Sequence, residues 1–219
     1  MDIIGIKLMN ECAAIMLICA LMIVGHVNLR SLVGIFAVQS LLLAAISAIA
    51  AAVFKNHHLY YMTALIVAVK VVAIPYMLLR VINRLTIKRE VDFYINIPIS
   101  FIISCGLIVL SYYIEQNVIR LSGGQFINHC FSISLAILLI GNFIMIGRKK
   151  AVTQIIGLLI MENGLFLATL SLTSGMPMVI ELGIAFDILV GVLIMGIFVF
   201  RITKTFVSSD TSKLSALKG

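Results

Sequence analysis

Charge is scarce in this chain. Aspartate, glutamate, lysine and arginine supply 11% of its 219 residues, against roughly 25% in an ordinary soluble domain. There are three prolines and no tryptophan, while 62% of the residues are apolar and the mean hydropathy is +1.19. A soluble globule cannot conceal that much apolar surface, because surface area falls too slowly with size. A soluble enzyme and a disordered chain are therefore excluded. Four cysteines, Cys12, Cys19, Cys105 and Cys130, are scattered without a C-x-x-C pair. That excludes a disulfide-stapled secreted module and gives no iron–sulfur or zinc signature. His57 and His58 are adjacent rather than four apart, and His26 and His129 stand near the ends of apolar runs, so no helical metal pair is expected. Neither a Gly-rich phosphate loop nor a nucleophile motif is present.

What is there is a set of long apolar runs. Seven approach the ~20 residues that cross a bilayer: about Ile3–Val24, Leu32–Phe54, Tyr60–Leu79, Ile95–Ile114, Cys130–Ile146, Ala151–Leu172 and Met178–Phe200. They are continuous rather than alternating with period two, so helices are expected and a barrel is not. The fold class is an all-α, polytopic transmembrane bundle of about seven helices. The first run lacks a basic flank and a clear small-x-small site and reads as a retained span rather than a signal peptide. Lys7 and Glu11 interrupt its outer end; they can pair at i, i+4 or simply snorkel to the interface.

Basic residues orient the bundle. With seven spans, one side receives Arg30, Arg80, Arg84, Lys88, Arg89, Arg148, Lys149, Lys150, Arg201, Lys204, Lys213 and Lys218, twelve in all; the other receives Lys7, Lys55 and Arg120. This asymmetry puts the amino terminus outside and the carboxyl terminus in the cytoplasm. The net charge of +7 is thus a topology and lipid-headgroup signal, with no reason to invoke nucleic acid. The organisation read from these runs is an N-terminal three-helix unit (1–84), an interfacial segment with a connecting fourth helix (85–129), a C-terminal three-helix unit (130–207) and a cytoplasmic tail (208–219).

Three ionisable residues stand at membrane depth: Lys70 in the third span, Glu162 in the sixth and Asp187 in the seventh. On insertion scales each costs ~2.5–3.5 kcal/mol at a helix centre. Two readings fit. A buried ion cluster can pin helix packing and move nothing; a proton relay can use desolvated carboxyls and a desolvated lysine that exchange protons near neutrality. Glu181 lies one turn inside the outer end and suits a solvated or headgroup-facing role. Pro75, five residues after Lys70, removes a helical hydrogen bond, and Gly157 and Gly164 flank Glu162, permitting close packing or a distortion. An offset of 123 aligns the second span with the sixth, matching Gly34 with Gly157 and Gln39 with Glu162. An offset of 117 aligns the third with the seventh, matching Lys70 with Asp187. Polar mid-membrane positions coincide in both alignments, as in a parallel repeat of two three-helix units.

The runs QIIGLLIMENGLFLA and VIELGIAFDILVGVLIM, the tail LSALKG, and the third span with Lys70 and Pro75 resemble the hydrogenase-4 component E family. The last three spans also look like the small K subunit of respiratory complex I. Asp187, four residues before Gly191, takes the place of that subunit's second intramembrane glutamate. Leu159 takes the place of the first, with Glu162 three residues later on nearly the same helix face. The resemblance implies a membrane subunit of an energy-converting group 4 [NiFe] hydrogenase of the formate hydrogenlyase type, in a bacterial cytoplasmic (inner) membrane. It implies antiporter-like membrane subunits and peripheral hydrogenase or formate dehydrogenase subunits as partners, with the [NiFe] centre and iron–sulfur clusters held by those partners. Lys70, Glu162 and Asp187 would then serve proton translocation, with Gln39 and Glu181 as secondary polar positions. A purely structural scaffold of such a complex, and a K-like subunit of a multisubunit cation/proton antiporter, are the competing expectations.

Overall fold

In hydrocarbon a backbone N–H or C=O finds no water, so each apolar run closes its hydrogen bonds within itself as a helix. The computed structural model describes residues 3–54, 57–84, 94–121, 130–173 and Gly191. The elements are α1 (Ile3–Gly25), α2 (Leu29–Phe54), α3 (His57–Ile66), a π-helical segment (Val67–Ala73), α4 (Ile74–Arg84), α5 (Ile97–Leu121), α6 (Cys130–Gly147) and α7 (Ala151–Thr173). α3, the π-helical segment and α4 are continuous and form one span. Among the described residues there are six helices long and apolar enough to cross a membrane and no β-strand. Apart from Gly191, the seventh expected span, with Glu181 and Asp187, lies outside the described residues, as do Pro177 before it, the tail, and residues 85–93 of the expected interfacial segment.

Two spans run further than the apolar pattern implies. The third extends from His57 to Arg84, and the fourth continues past Ile114 to Leu121. The second extension carries Glu115 into the helix, where it is 2% exposed. Lys7 and Glu11 are both exposed and form no ion pair with each other, in keeping with interfacial snorkelling.

α6 and α7 form the tightest interface, for a reason visible in three glycines. A Cβ on Gly164 would stand 2.6 Å from Leu138 N and 2.9 Å from Ser134 O; one on Gly157 would stand 2.8 Å from Met145 N and 2.9 Å from Gly141 O. On Gly141 it would run into the Met161 backbone. Lipid tails are as apolar as leucine, so helices in a bilayer associate by close van der Waals packing, which small residues allow. α7 runs unbroken through both of its glycines. α2 packs against α1, α7 and the third span, burying Leu32, Phe36 and Leu43 completely. Among the described helices α5 is the outermost, with Ile102, Val109 and Tyr113 exposed on a face suited to lipid.

One end of the bundle is basic. Arg30 Nη2 donates to Asn83 Oδ1 at 2.7 Å, tying the start of α2 to the end of α4. Lys149 Nζ lies 4.9 Å from the centre of the Tyr94 ring. Arg148 does more than mark this rim: it is buried, and its Nη2 donates to Val24 O at 2.6 Å, with Ile23 O and His26 O at 3.4 and 3.5 Å. The last carbonyls of a helix have no intrahelical donor and carry its negative dipole end, so a guanidinium there caps α1.

Candidate intramembrane ion-pair site

The π-helical segment positions the site's cation. Its seven residues, VAVKVVA, close on the bond from Ile74 N–H to Val69 O, five residues back, and Lys70 is its one buried residue. Pro75 follows directly; lacking an N–H, it leaves a carbonyl one turn earlier without a helical donor. Such wide turns recur at functional sites within helices. Here the widened turn carries Lys70 into the bundle.

Glu162 and Asn163 meet it from α7. Lys70 Nζ lies 2.8 Å from Glu162 Oε1 and donates to Asn163 Oδ1 at 3.2 Å. Asn163 Nδ2 in turn donates to Ser40 Oγ of α2 at 3.3 Å. Lys70 is 2% exposed, Glu162 is 3% exposed, and Asn163 and Ser40 are fully buried. Three spans are thereby joined by a continuous chain of polar contacts at membrane depth. The offset of 123 that relates Gln39 to Glu162 also relates Ser40 to Asn163, and those two side chains bond to each other.

The remaining sequence-derived candidates divide. Gln39 is buried but turns to α1, its Nε2 donating to Met16 O at 3.2 Å, with Oε1 buried and accepting no hydrogen bond among the described residues. Leu159 is fully buried in the α7 core. Asp187 and Glu181 lie outside the described residues. Sequence reasoning passed over Asn163, Ser40 and Glu115, and took Arg148 only as part of the basic rim. The adjacency of Asn163 to Glu162 was the available signal for the first of these.

Chemically, an ammonium and a carboxylate at this distance can exchange one proton between them, giving a charged or a neutral pair. The amide of Asn163 offers Lys70 a second acceptor, oriented by Ser40. Among the described residues, no three His, Cys, Asp or Glu side chains gather where they could hold a metal ion. The four cysteines are spread over α1, α5 and α6, with Cys130 Sγ donating to Asn10 Oδ1 at 2.8 Å. Such a donor set does not fit a [NiFe] centre or an iron–sulfur cluster, each of which needs several converging thiolates.

Hydrogenase-4 component E of Escherichia coli K12 is 24% identical over 215 residues, an alignment covering 98% of this chain and 99% of that protein. The same figures hold for hydrogenase-4 component E of Shigella flexneri. The chain is a distant homologue of hydrogenase-4 component E. The likeness to hydrogenase-4 component E is end to end, so it takes in both the Lys70 span and the Glu162 helix. An uncharacterized protein of Mycobacterium tuberculosis is 29% identical over 212 residues, 96% of each chain. No protein-family model and no solved structure matches. Together with the six helices long and apolar enough to cross a membrane, this end-to-end likeness marks a multi-pass membrane protein.

Proposed function

We propose that the chain is an integral membrane subunit of an energy-converting [NiFe] hydrogenase complex of the formate hydrogenlyase type, and that Lys70 and Glu162 pass protons within its membrane arm in a bacterial cytoplasmic membrane. The observation that carries the reading is the buried Lys70–Glu162 pair at 2.8 Å, within a chain homologous throughout to hydrogenase-4 component E. Ionisable residues at membrane depth that face a bundle interior and pair with one another are the usual components of proton relays. Asp187, which the repeat relates to Lys70, is the third member of the relay in this proposal. Redox centres belong to partner subunits, as do the antiporter-like membrane proteins that this chain anchors. Coupling is electrostatic: a change of charge in a neighbouring subunit alters which of Lys70 and Glu162 holds the proton.

Purification of the full-length protein in mild detergent tests the assembly. Recovery of a nickel–iron large subunit with antiporter-like membrane subunits is the expected result. Recovery with cation/proton antiporter subunits and no hydrogenase would assign the chain to that other assembly. For the mechanism, Lys70→Met, Glu162→Gln and Asp187→Asn are each expected to assemble and to lower proton translocation. Undiminished translocation in all three would leave the pair as a packing device.

A further inference from the structure

α5 is built inside out. Its lipid-side face is apolar, yet each of the residues described as buried on it is polar: Ser100, Ser104, Ser111 and Glu115. Their spacings of four, seven and four residues put them on one helix face, and that face packs against α6 and α1. In a bilayer this arrangement exposes what lipid accepts and encloses what it rejects.

The chemistry of the enclosed face is one-sided. A serine hydroxyl has one hydrogen and two acceptor lone pairs. Ser100 donates to Asn96 O at 3.0 Å, Ser104 to Ser100 O at 2.8 Å and Ser111 to Ile108 O at 2.7 Å. Each hydrogen is thus spent on the local backbone, and what faces the interface is a row of oxygen lone pairs. Glu115 extends the row. Its Oε1 accepts the Ser132 N–H at 3.3 Å, while Oε2 is fully enclosed and accepts no hydrogen bond from any described residue. Two residues from Ser132 on α6, Cys130 turns its thiol hydrogen to Asn10 of α1, not to the carboxyl. A buried carboxyl oxygen without a donor is expensive, and such orphans in a native fold call for an unseen ion, proton or water.

We infer that Glu115, with the serine face of α5 leading to it, is a site for a small monovalent cation bound through oxygen acceptors, separate from the Lys70–Glu162 pair. Small residues on this face also serve close packing, but packing alone gives no reason for a carboxyl with an unpartnered oxygen. The shared chemistry admits a proton, carried by water, or a sodium ion. The site does not depend on the proton reading of Lys70 and Glu162, so the two stand or fall separately.

The test is modification of the full-length protein in native membranes by dicyclohexylcarbodiimide, which reacts with protonated carboxyl groups, read residue by residue by peptide mass spectrometry. Glu115 is expected to be modified. If the cation is a proton, the rate falls about tenfold for each pH unit once the carboxyl is mostly ionised. If it is sodium, added sodium chloride slows the reaction at constant pH and potassium chloride does not. Ser111→Val shifts the pH dependence in the proton case or weakens the protection by sodium in the other, and Glu115→Gln abolishes the modification. An unmodified Glu115 in membranes whose other carboxyl groups react would overturn the inference. So would a rate indifferent to both pH and sodium.

Discussion

Lys70 Nζ sits 2.8 Å from Glu162 Oε1 and 3.2 Å from Asn163 Oδ1, so one ammonium is shared between a carboxylate and an amide that are neighbours on α7. This geometry gives Lys70 a second acceptor to retain if Glu162 takes up a proton. Asn163→Leu removes that acceptor and leaves Ser40 without its donor; a loss of about 1–3 kcal/mol is expected for a buried polar group left unsatisfied. Asn163→Asp supplies a second counter-charge and is expected to shift the pH profile of proton translocation. A merely structural amide would alter thermal stability and leave that profile in place.

Removing one member of a buried pair is far worse than removing both. Lys70→Met strands Glu162, and the uncompensated charge destabilises by about 3–5 kcal/mol unless the carboxyl neutralises by binding a proton. Lys70→Met combined with Glu162→Leu is expected to regain most of the loss while remaining inactive in translocation. Thermal unfolding of the single and double variants in the same detergent measures this. A double variant no more stable than the singles would show that the pair is not an isolated unit.

The α6–α7 interface makes a sharper steric demand. At Gly164 the obstacles to a Cβ are backbone atoms, Leu138 N and Ser134 O, which cannot swing aside as a side chain would. Gly164→Ala is expected to force the helices apart and lower stability by about 1–3 kcal/mol. Gly34→Ala, where a Cβ would meet nothing within 4 Å, is expected to be close to neutral, since Ala is the better helix former. Comparison of their melting temperatures checks both.

Among the described basic-rim residues, Arg148 is the buried one, and its loss should be felt as a fold defect. Arg148→Gln removes the charged donor to Val24 O at the end of α1. A decrease of about 1.5–3 kcal/mol is expected for a hydrogen bond from a charged donor. Arg30→Gln, on a more exposed contact with Asn83, is expected to have a smaller effect. Equal effects would contradict the capping role.

Much of this fold was legible because apolar runs of membrane-spanning length have few alternatives. Lys70 and Glu162 stood out for the same reason, since charge at that depth is costly and must be used or paired. Asn163 and Ser40 did not stand out: an amide and a hydroxyl cost much less in a helix, and only the meeting of α2, α7 and the π-helical segment reveals that they complete the chain of contacts. Glu115 was hidden by a boundary. A span ending at Ile114 leaves it at the solvated edge, whereas the helix to Leu121 encloses it. The serines of α5 are nearly neutral in hydropathy, so their common face became visible only with the helix's neighbours in place. Arg148 counted correctly toward the basic end, but its capping role depends on the nearby end of α1, which no local pattern encodes.

The most direct measurement is the number of protons moved per hydrogen turned over in inverted membrane vesicles carrying the complex with Glu162→Gln. Hydrogenase activity with an artificial electron carrier, assayed in the same vesicles, confirms assembly. The expected result is normal hydrogen turnover with a reduced proton ratio. A fully assembled variant with the wild-type ratio would contradict a proton-transfer role for the Lys70–Glu162 pair.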